Sequence, residues 1–531
     1  MKSVKGENKK IKENIDKGME NPSKITESKY KRRTLLKALV GIPVLGVFAY
    51  ESLRNKSLHV NKNKELLSQL GLGDLNAPVV LKHNPEGDVI RIGIIGFGNR
   101  ASSHANALGY MHPDDVEKRK KNGTLVKWLR QDNLNIAVTG ICDVFDLHAR
   151  RGIETIQNDV HPQGFKNHNL PVKRYLRWED MMEDKNIDAV MIATPDFHHA
   201  EIATAAANAG KHIYCEKSIA LNEKELNILY KTVRESPIVF QLGHQITKSK
   251  VFQQAKEVIR KNILGKITLI ETTTNRNTAS GAWIRDRDIN GKLKPGDEKS
   301  IDWKQWLGKS PYVPFSLDRY YNWSKWFAYD TGMIGQLFTH EYDAVNQLLG
   351  IGIPHSVVSS GGIYYWKDNR EIPDLLHCVF EYPEKDLTLI YSGCLANSRN
   401  RGRIFMGHDA SMELGGSLSI TADRDSTRYK NQIASGDIDP THPMLSSGPQ
   451  TDGVTSATAR YFASRGLIAN GDGTDLTYLH VKEWIDCIRN GEVPSANIDR
   501  AFDEGITCIM AKQAYLEKRT ITWDNEKRKI V

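Results

Sequence analysis

Along residues 89–245, short continuous apolar runs alternate with helix-compatible stretches, and the runs end in small or polar residues. Residues 89–95, 136–142, 188–193, 211–215 and 238–242 are the runs in question. Continuous apolar runs of this length predict strands covered on both faces, as in a parallel sheet with helical crossovers. The Ala-rich stretch 200–210 is such a helix and stops at Gly210 in C-cap fashion. Residues 112–135 are highly charged and have no clean period, which predicts a solvated insertion.

Beyond residue 245 the pattern changes. Residues 266–274, 356–365, 376–382, 387–392, 403–406 and 411–414 read as strands of a large, mostly antiparallel sheet, with a hairpin turn at 383–386. A helix opens near Thr331-Gly332 and runs to Gly350; on it Gln336, His340 and Asp343 fall at i, i+4 and i+7, which predicts one shared face. Leu337, Val345, Leu348 and Leu349 are placed for packing. Residues 421–475 are rich in Gly, Ser, Thr and Asp and predict a long insertion with little regular structure. The tail is mostly helical, and Val481, Trp484, Ile485 and Ile488 at helix spacing predict that it packs back on the first domain.

The expected class is therefore α/β: an N-terminal doubly wound (Rossmann) parallel sheet, plus a C-terminal α+β domain with a large, mostly antiparallel open sheet. Its boundaries are a leader over 1–50, a linker over 51–87, a nucleotide-binding domain over 88–245, an α+β substrate and oligomerisation domain over 246–475, and closing helices over 476–531.

Charge alters this picture less than it first suggests. The chain of 531 residues carries a formal charge of +9, but residues 1–37 alone hold twelve Lys or Arg against five Asp or Glu. The body is close to neutral, which argues against a nucleic-acid partner. Tyr30-Lys31-Arg32-Arg33-Thr34-Leu35-Leu36-Lys37 ahead of the apolar run 38–50 matches a twin-arginine export signal. The expected location is periplasmic, with a membrane tether if the leader is not cut. Six cysteines without a C-x-x-C pair suggest neither a zinc site nor a dense disulfide frame.

The candidate chemistry gathers after the strands. Gly96-Phe97-Gly98-Asn99-Arg100-Ala101 fits the dinucleotide fingerprint G-x-G-x-x-G/A: a tight turn, close backbone approach to a pyrophosphate, and a helix N-terminus aimed at the phosphates. Asp143 follows the second strand and is placed to hold the adenosine ribose, although it comes 42 residues after Ala101 instead of the usual ~20 after the fingerprint. Arg150 and Arg151 lie close enough to accept a phosphate, so NAD is favoured over NADP without excluding it. Thr194-Pro195-Asp196, Glu216-Lys217-Ser218 and Gly243-His244-Gln245 stand at other strand ends, where ligands collect in such sheets. Lys217 is a candidate acid/base group. Aromatics thicken over 303–326, suited equally to sugar stacking and to packing.

These residues resemble the glucose-fructose oxidoreductase and inositol dehydrogenase family (Gfo/Idh/MocA). The likeness rests on the fingerprint, on Thr194-Pro195 with His199 four residues on, and on Glu216-Lys217, where Ser218 replaces the family's usual Pro. The resemblance implies that Lys217 sits beside the nicotinamide and the reacting hydroxyl, with Thr194 and Pro195 lining the cofactor. His340 matches the family's catalytic His, while the family's Asp four residues earlier is Gln336 here, which cannot ionise. Glu341, Tyr342 and Asp343 are the candidates to compensate. Gly96, Phe97, Gly98, Asn99, Arg100, Asp143, Thr194, Pro195, His199, Glu216, Lys217 and Gln245 are the expected cofactor contacts, and no metal set is expected.

The expected function is hydride transfer between NAD(P) and a sugar, glycoside or polyol hydroxyl, with acid–base help from Lys217 and His340. An exported enzyme has no pool of free nucleotide to draw on, so a tightly bound cofactor is expected. Redox-neutral glycoside cleavage (oxidation, elimination, hydration, reduction) is one alternative. A non-catalytic sugar-binding protein with a vestigial cofactor site is the other. A homo-oligomer and the twin-arginine machinery are the expected partners.

Overall fold

The computed structural model describes residues 68, 87–164, 167–279, 281, 283–285, 287–447 and 475–531. The expected leader, most of the linker and residues 448–474 of the expected insertion lie outside the described residues.

The first sheet is built from β1 (Ile90–Ile95), β2 (Ile136–Cys142), β3 (Lys173–Tyr175), β4 (Ala189–Ile192), β5 (His212–Cys215) and β6 (Phe240–Leu242). Their order is β3-β2-β1-β4-β5-β6, all parallel. The runs are continuous because both faces are covered: Ile92, Ile94, Val138 and Met191 are fully buried. Register decides where the chemistry goes. Ile95 pairs with Cys142 and Ile192, Ile192 with Cys215, and Cys215 with Leu242, so these strands all end on one row. The Gly96 turn, Asp143, Thr194, Glu216 and His244 therefore emerge at the same sheet edge.

Two expectations are corrected here. Residues 112–135 are not merely solvated chain: α2 (Pro113–Lys121) and α3 (Leu125–Trp128) follow α1 (Asn99–Ala107). Met111, Val116 and Trp128 close a small apolar cluster beneath them, and the Trp128 indole donates to the Asn106 carbonyl at 2.8 Å. The period was hidden because α2 buries only Val116. Strand β3 was also missed, being three residues long and mostly polar.

The second sheet has ten strands in the order β14-β13-β12-β11-β7-β10-β9-β8-β15-β16. These are β7 (Ile267–Asn275), β8 (Ser356–Gly362), β9 (Leu375–Tyr382), β10 (Leu387–Cys394), β11 (Gly402–Gly407), β12 (Ala410–Leu414), β13 (Leu418–Ala422), β14 (Leu445–Ser447), β15 (Ile521–Asp524) and β16 (Lys529–Ile530). Among the described residues of this sheet only β7 and β10 pair in parallel. Part of the stretch expected to be irregular instead supplies the end of β13 and all of β14, and the chain's tail supplies β15 and β16.

A π-helical turn, Ile334–Phe338, leads into α4 (Thr339–Leu349). Phe338 pins this turn to the second sheet, stacked on Phe380 at 4.6 Å and against Tyr391 at 4.9 Å. Near the end of the chain, α5 (Leu476–Asn490) places Val481, Trp484 and Ile485 in the same apolar cluster as Ile92, Ile94 and Tyr214 of the first sheet. α6 (Ile498–Glu517) is buried along most of its length. Among the described residues no helix is long and apolar enough to cross a membrane.

Candidate active site

One cleft, of about 1690 Å³ including its open mouth, joins the ends of the first sheet's strands to the second domain. At its floor Gly96 turns out of β1 with φ +79°, and a Cβ there would lie 2.9 Å from the Ala193 carbonyl. Only glycine satisfies both conditions. A Cβ on Gly98 would meet nothing within 4 Å, so the loop faces open space. The first turn of α1 has no side-chain cap and no acidic residue, which leaves its N–H groups and positive dipole end for an anion. Asp143 is fixed beside this turn by accepting the Phe97 N–H at 2.5 Å and the Phe145 N–H at 2.8 Å. The Thr194 hydroxyl lines the same cleft and is buried without a partner. A dinucleotide fits these features: an anion cradle, a carboxylate for a ribose, and a spare hydroxyl.

Arg100 ties the cradle to β5, pairing with Glu216 at 2.7 Å and reaching Gln245 at 3.0 Å. Burial alone would lift the Glu216 pKa, but Arg100 and the hydrogen bond to His104 at 2.8 Å hold it well below the usual carboxylate range.

Lys217 follows on the same loop. Its ammonium donates to Gln336 Oε1 at 2.8 Å, and Gln336 Nε2 donates onward to Asp196 at 2.9 Å and Asp330 at 3.1 Å. Burial and the neighbouring Asp196 push the Asp330 carboxyl well above its ordinary range. The π-helical turn must come very close to this loop: a Cβ on Gly335 would fall 1.8 Å from the Thr331 hydroxyl and 2.0 Å from that of Ser218.

On the turn that follows, His340 is half-buried in the cleft wall, its Nδ1 3.2 Å from His244 Nδ1. His244 Nε2 lies 2.7 Å from Glu504 on α6. Burial, then the charges of His244 and Lys217, drive the His340 pKa well below its ordinary value, so the ring is neutral.

Of the residues singled out from sequence, Gly96, Gly98, Asn99, Arg100, Asp143, Thr194, Pro195, Glu216, Lys217, Gln245, Gln336 and His340 all line the cleft. Four do not. Phe97 is fully buried in the core beneath the loop. His199 is a brace, its ring contacting the Thr194 carbonyl at 2.9 Å and that of Ser218 at 2.7 Å. Tyr342 is buried and donates to the Gly352 carbonyl at 2.6 Å. Asp343 accepts from Gln347 and stays under the helix, so the expected face shared with Gln336 and His340 is not formed. Glu341 does not compensate for Gln336 either, being paired with Arg403 at 2.7 Å.

The compensating carboxylates are Asp196 and Asp330, and sequence reasoning assigned them no role. Asp196 carried a signal, its position just past β4; Asp330 carried none. His244 also stood at a strand end, and Glu504 could be suspected only as an acid amid apolar helix. The aromatic stretch does both jobs: Trp306, Trp326 and Tyr329 form a packed cluster against Phe197, Tyr320 and Trp323, and Trp306, Tyr320, Tyr321 and Trp323 also line the cleft. Among the described residues no group of three or more His, Cys, Asp or Glu is arranged to hold a metal ion.

Residues 90–244 match a family model described as the oxidoreductase family with NAD-binding Rossmann fold, GFO_IDH_MocA. Levoglucosan dehydrogenase of Pseudarthrobacter phenanthrenivorans is 31% identical over 187 residues, 35% of this chain and 41% of that protein. 2,7-anhydro-N-acetylneuraminate hydratase of Escherichia coli is 25% identical over 249 residues, 45% of this chain and 56% of that one. The chain thus spans about half the length of the curated relatives it matches. Among solved structures, the WlbA dehydrogenase from Chromobacterium violaceum, in complex with NADH and UDP-GlcNAcA, matches with a TM-score of 0.52 at 12% identity, over 84% of this chain and 99% of that one. At that identity the likeness is one of fold. The glycine cradle and the strand order agree with that family model, so residues 90–244 are similar to the NAD-binding Rossmann fold of the Gfo/Idh/MocA oxidoreductases.

Proposed function

We propose that this chain is an NAD-dependent oxidoreductase that moves a hydride between the nicotinamide and a hydroxyl-bearing carbon of a sugar, glycoside or polyol. One observation carries the reading: Lys217 and His340, contributed by different domains, line the same cleft as the dinucleotide cradle. Bound NAD would supply the hydride acceptor; Gly96, Gly98 and the first turn of α1 would hold its phosphates and Asp143 a ribose. His340, neutral, takes the hydroxyl proton, and Lys217, held in place by Gln336, donates a hydrogen bond to the same oxygen. The relatives' names point to carbohydrate substrates, a levoglucosan dehydrogenase among them.

NAD is favoured over NADP because Arg151 is already committed, to Asn290 at 2.6 Å and Asp115 at 2.8 Å, and Arg150 does not line the cleft. Tight retention is supported by the segment that covers Asp143. Asp302 N–H donates to the Val144 carbonyl at 2.8 Å, and the Tyr320 hydroxyl reaches His148 at 3.3 Å. Arg32-Arg33 supports twin-arginine export to the periplasm, where a retained nucleotide would have to be recycled in place. The large open sheet supports a homo-oligomer.

A second reading, redox-neutral glycoside cleavage, is favoured by the likeness to a hydratase, whose name denotes addition of water. One experiment separates the readings. The full chain is purified, its nucleotide released by denaturation and identified, and the intact protein incubated with sugars and nitrophenyl glycosides. Lasting absorbance at 340 nm indicates dehydrogenation, and aglycone release without net NADH indicates cleavage. Absence of nucleotide, or no reaction with any substrate, overturns the proposal.

A further inference from the structure

His340 is the outer member of a buried chain of three groups that the proposed step has not yet used. His244 and Glu504, the inner two, are each 1% exposed. An N···N contact of 3.2 Å between two imidazoles requires that one nitrogen carry hydrogen and the other be bare. If His340 Nδ1–H donates to His244 Nδ1, the other His340 nitrogen, Nε2, is bare and able to accept a proton. His244 then carries its own proton on Nε2, 2.7 Å from the Glu504 carboxylate. If the proton on His244 is instead on Nδ1, His340 must carry Nε2–H and can only donate. The tautomer of His340 is therefore set by the pair behind it. Glu504 Oε1 is buried without a partner, an environment that suits a neutral carboxyl better than a charged one.

We propose that His340, His244 and Glu504 form a proton relay ending in an internal store, which keeps the proton removed from the substrate hydroxyl until the reverse step. The inference rests on the reading of His340 as the group that takes that proton. In the oxidation step the substrate O–H bond breaks and an N–H bond forms at His340 Nε2. The His340 Nδ1 proton passes to His244 Nδ1, and the His244 Nε2 proton passes to Glu504. The hydride from the same carbon goes to NAD. Both histidines end neutral with their tautomers exchanged, and Glu504 ends as the carboxylic acid. The reverse sequence returns the same charge to the substrate oxygen, so an enzyme that recycles its nucleotide in place would also recycle its proton, with none exchanged with solvent.

The surrounding charges set the pH at which the store fills. Burial lifts Glu504 to about 6 against the pull of His244, with Asp343 raising it further and Lys217 opposing. Burial lowers His244, but Glu504 and Asp343, with Glu216 beyond them, bring it above its ordinary value. Arg100, Lys217 and Glu216 also face His340. Arg500 and Lys248 act on Asp343, and the buried His480 faces His244. The pair thus takes up its proton at a higher pH than an ordinary carboxylate would. Above that point the store is empty and oxidation is favoured; below it the store is full and reduction is favoured.

The test times protons. The full chain with its bound nucleotide is mixed, in weak buffer at pH 8 with an indicator dye, with a sugar that reduces the nucleotide, and absorbance is followed at 340 nm and at the dye's wavelength. Because the proton first stops at Glu504, the wild type should release it measurably later than the NADH forms, and E504Q should release it together with the NADH. One proton per NADH in the wild type, appearing with the NADH, overturns the relay. A second measurement needs no turnover: nitrogen-15 histidine NMR of the nucleotide-free protein from pH 5 to 9. The tautomer of His340 should change over the same interval in which His244 and Glu504 gain a proton, and the change should vanish in E504Q. A His340 tautomer indifferent to Glu504 overturns the relay as well. If no sugar reduces the nucleotide, the functional reading fails by itself and the NMR result still decides the relay. If E504Q does not fold, the timing of proton release in the wild type decides.

Discussion

At the scale of residues, the proposed chemistry depends on an ammonium and an imidazole held by very different means. Lys217 is steadied by a neutral amide, and two acids stand behind that amide instead of in its place. This keeps a full negative charge from pairing directly with the lysine, so the N–H groups left over remain available to a substrate oxygen. Lys217→Ala and His340→Ala should each lower the rate of NADH formation by ~100-fold or more while leaving the melting temperature within a few degrees. Unchanged rates in both would favour the non-catalytic alternative. Lys217 and the glycines could be read from the sequence because each sits in a local pattern, and His340 came from the family resemblance. Asp330 could not: its importance comes from being six residues before Gln336 on a turn whose path no local pattern reveals.

At the scale of elements, α5 and α6 do the work of joining the end of the chain to both sheets. Trp484 is fully buried against Tyr214, with ring centroids 5.7 Å apart. Trp484→Ala should cost about 3–5 kcal/mol in urea unfolding, since a large void beneath the first sheet cannot collapse. A loss below about 1 kcal/mol would mean that α5 contributes little to holding that sheet. On α6, burial lifts Asp503 to about 6. Its folded pKa lies above its unfolded value, so between about pH 4 and 6 the folded state binds more protons and stability falls as pH rises. Asp503→Asn removes that loss. The variant's gain in melting temperature over the wild type should therefore be larger at pH 7.5 than at pH 4, and an equal gain at both would refute the assignment. The helical period of α5 was plain from its apolar spacing. Strands β15 and β16 were not, because β15 pairs with β8, more than 150 residues earlier, and no local signal encodes a partner so distant.

At the scale of the whole molecule, the cleft exists because a segment of the second domain folds over the strand ends of the first. Trp306 anchors that cover, 2% exposed within the cluster of Leu307, Trp326 and Tyr329 and in contact with Phe197, ring centroids 5.4 Å apart. Trp306→Ala should speed nucleotide loss on dilution by at least ~10-fold, equivalent to about 1.4 kcal/mol, with the released species measured by chromatography over time. A rate equal to wild type would show that the cover does not retain the cofactor. The sequence by itself determined the parallel sheet and the glycine cradle and pointed to Lys217 as a candidate, because burial on both faces, a tight turn and a strand end all leave marks within a few residues. Only the tertiary structure decided what surrounds those groups. The carboxylates behind Gln336, the relay behind His340 and the cover over Asp143 bring together residues up to hundreds of positions apart, and their spacing is set by strand register and a π-helical turn that periodicity does not anticipate.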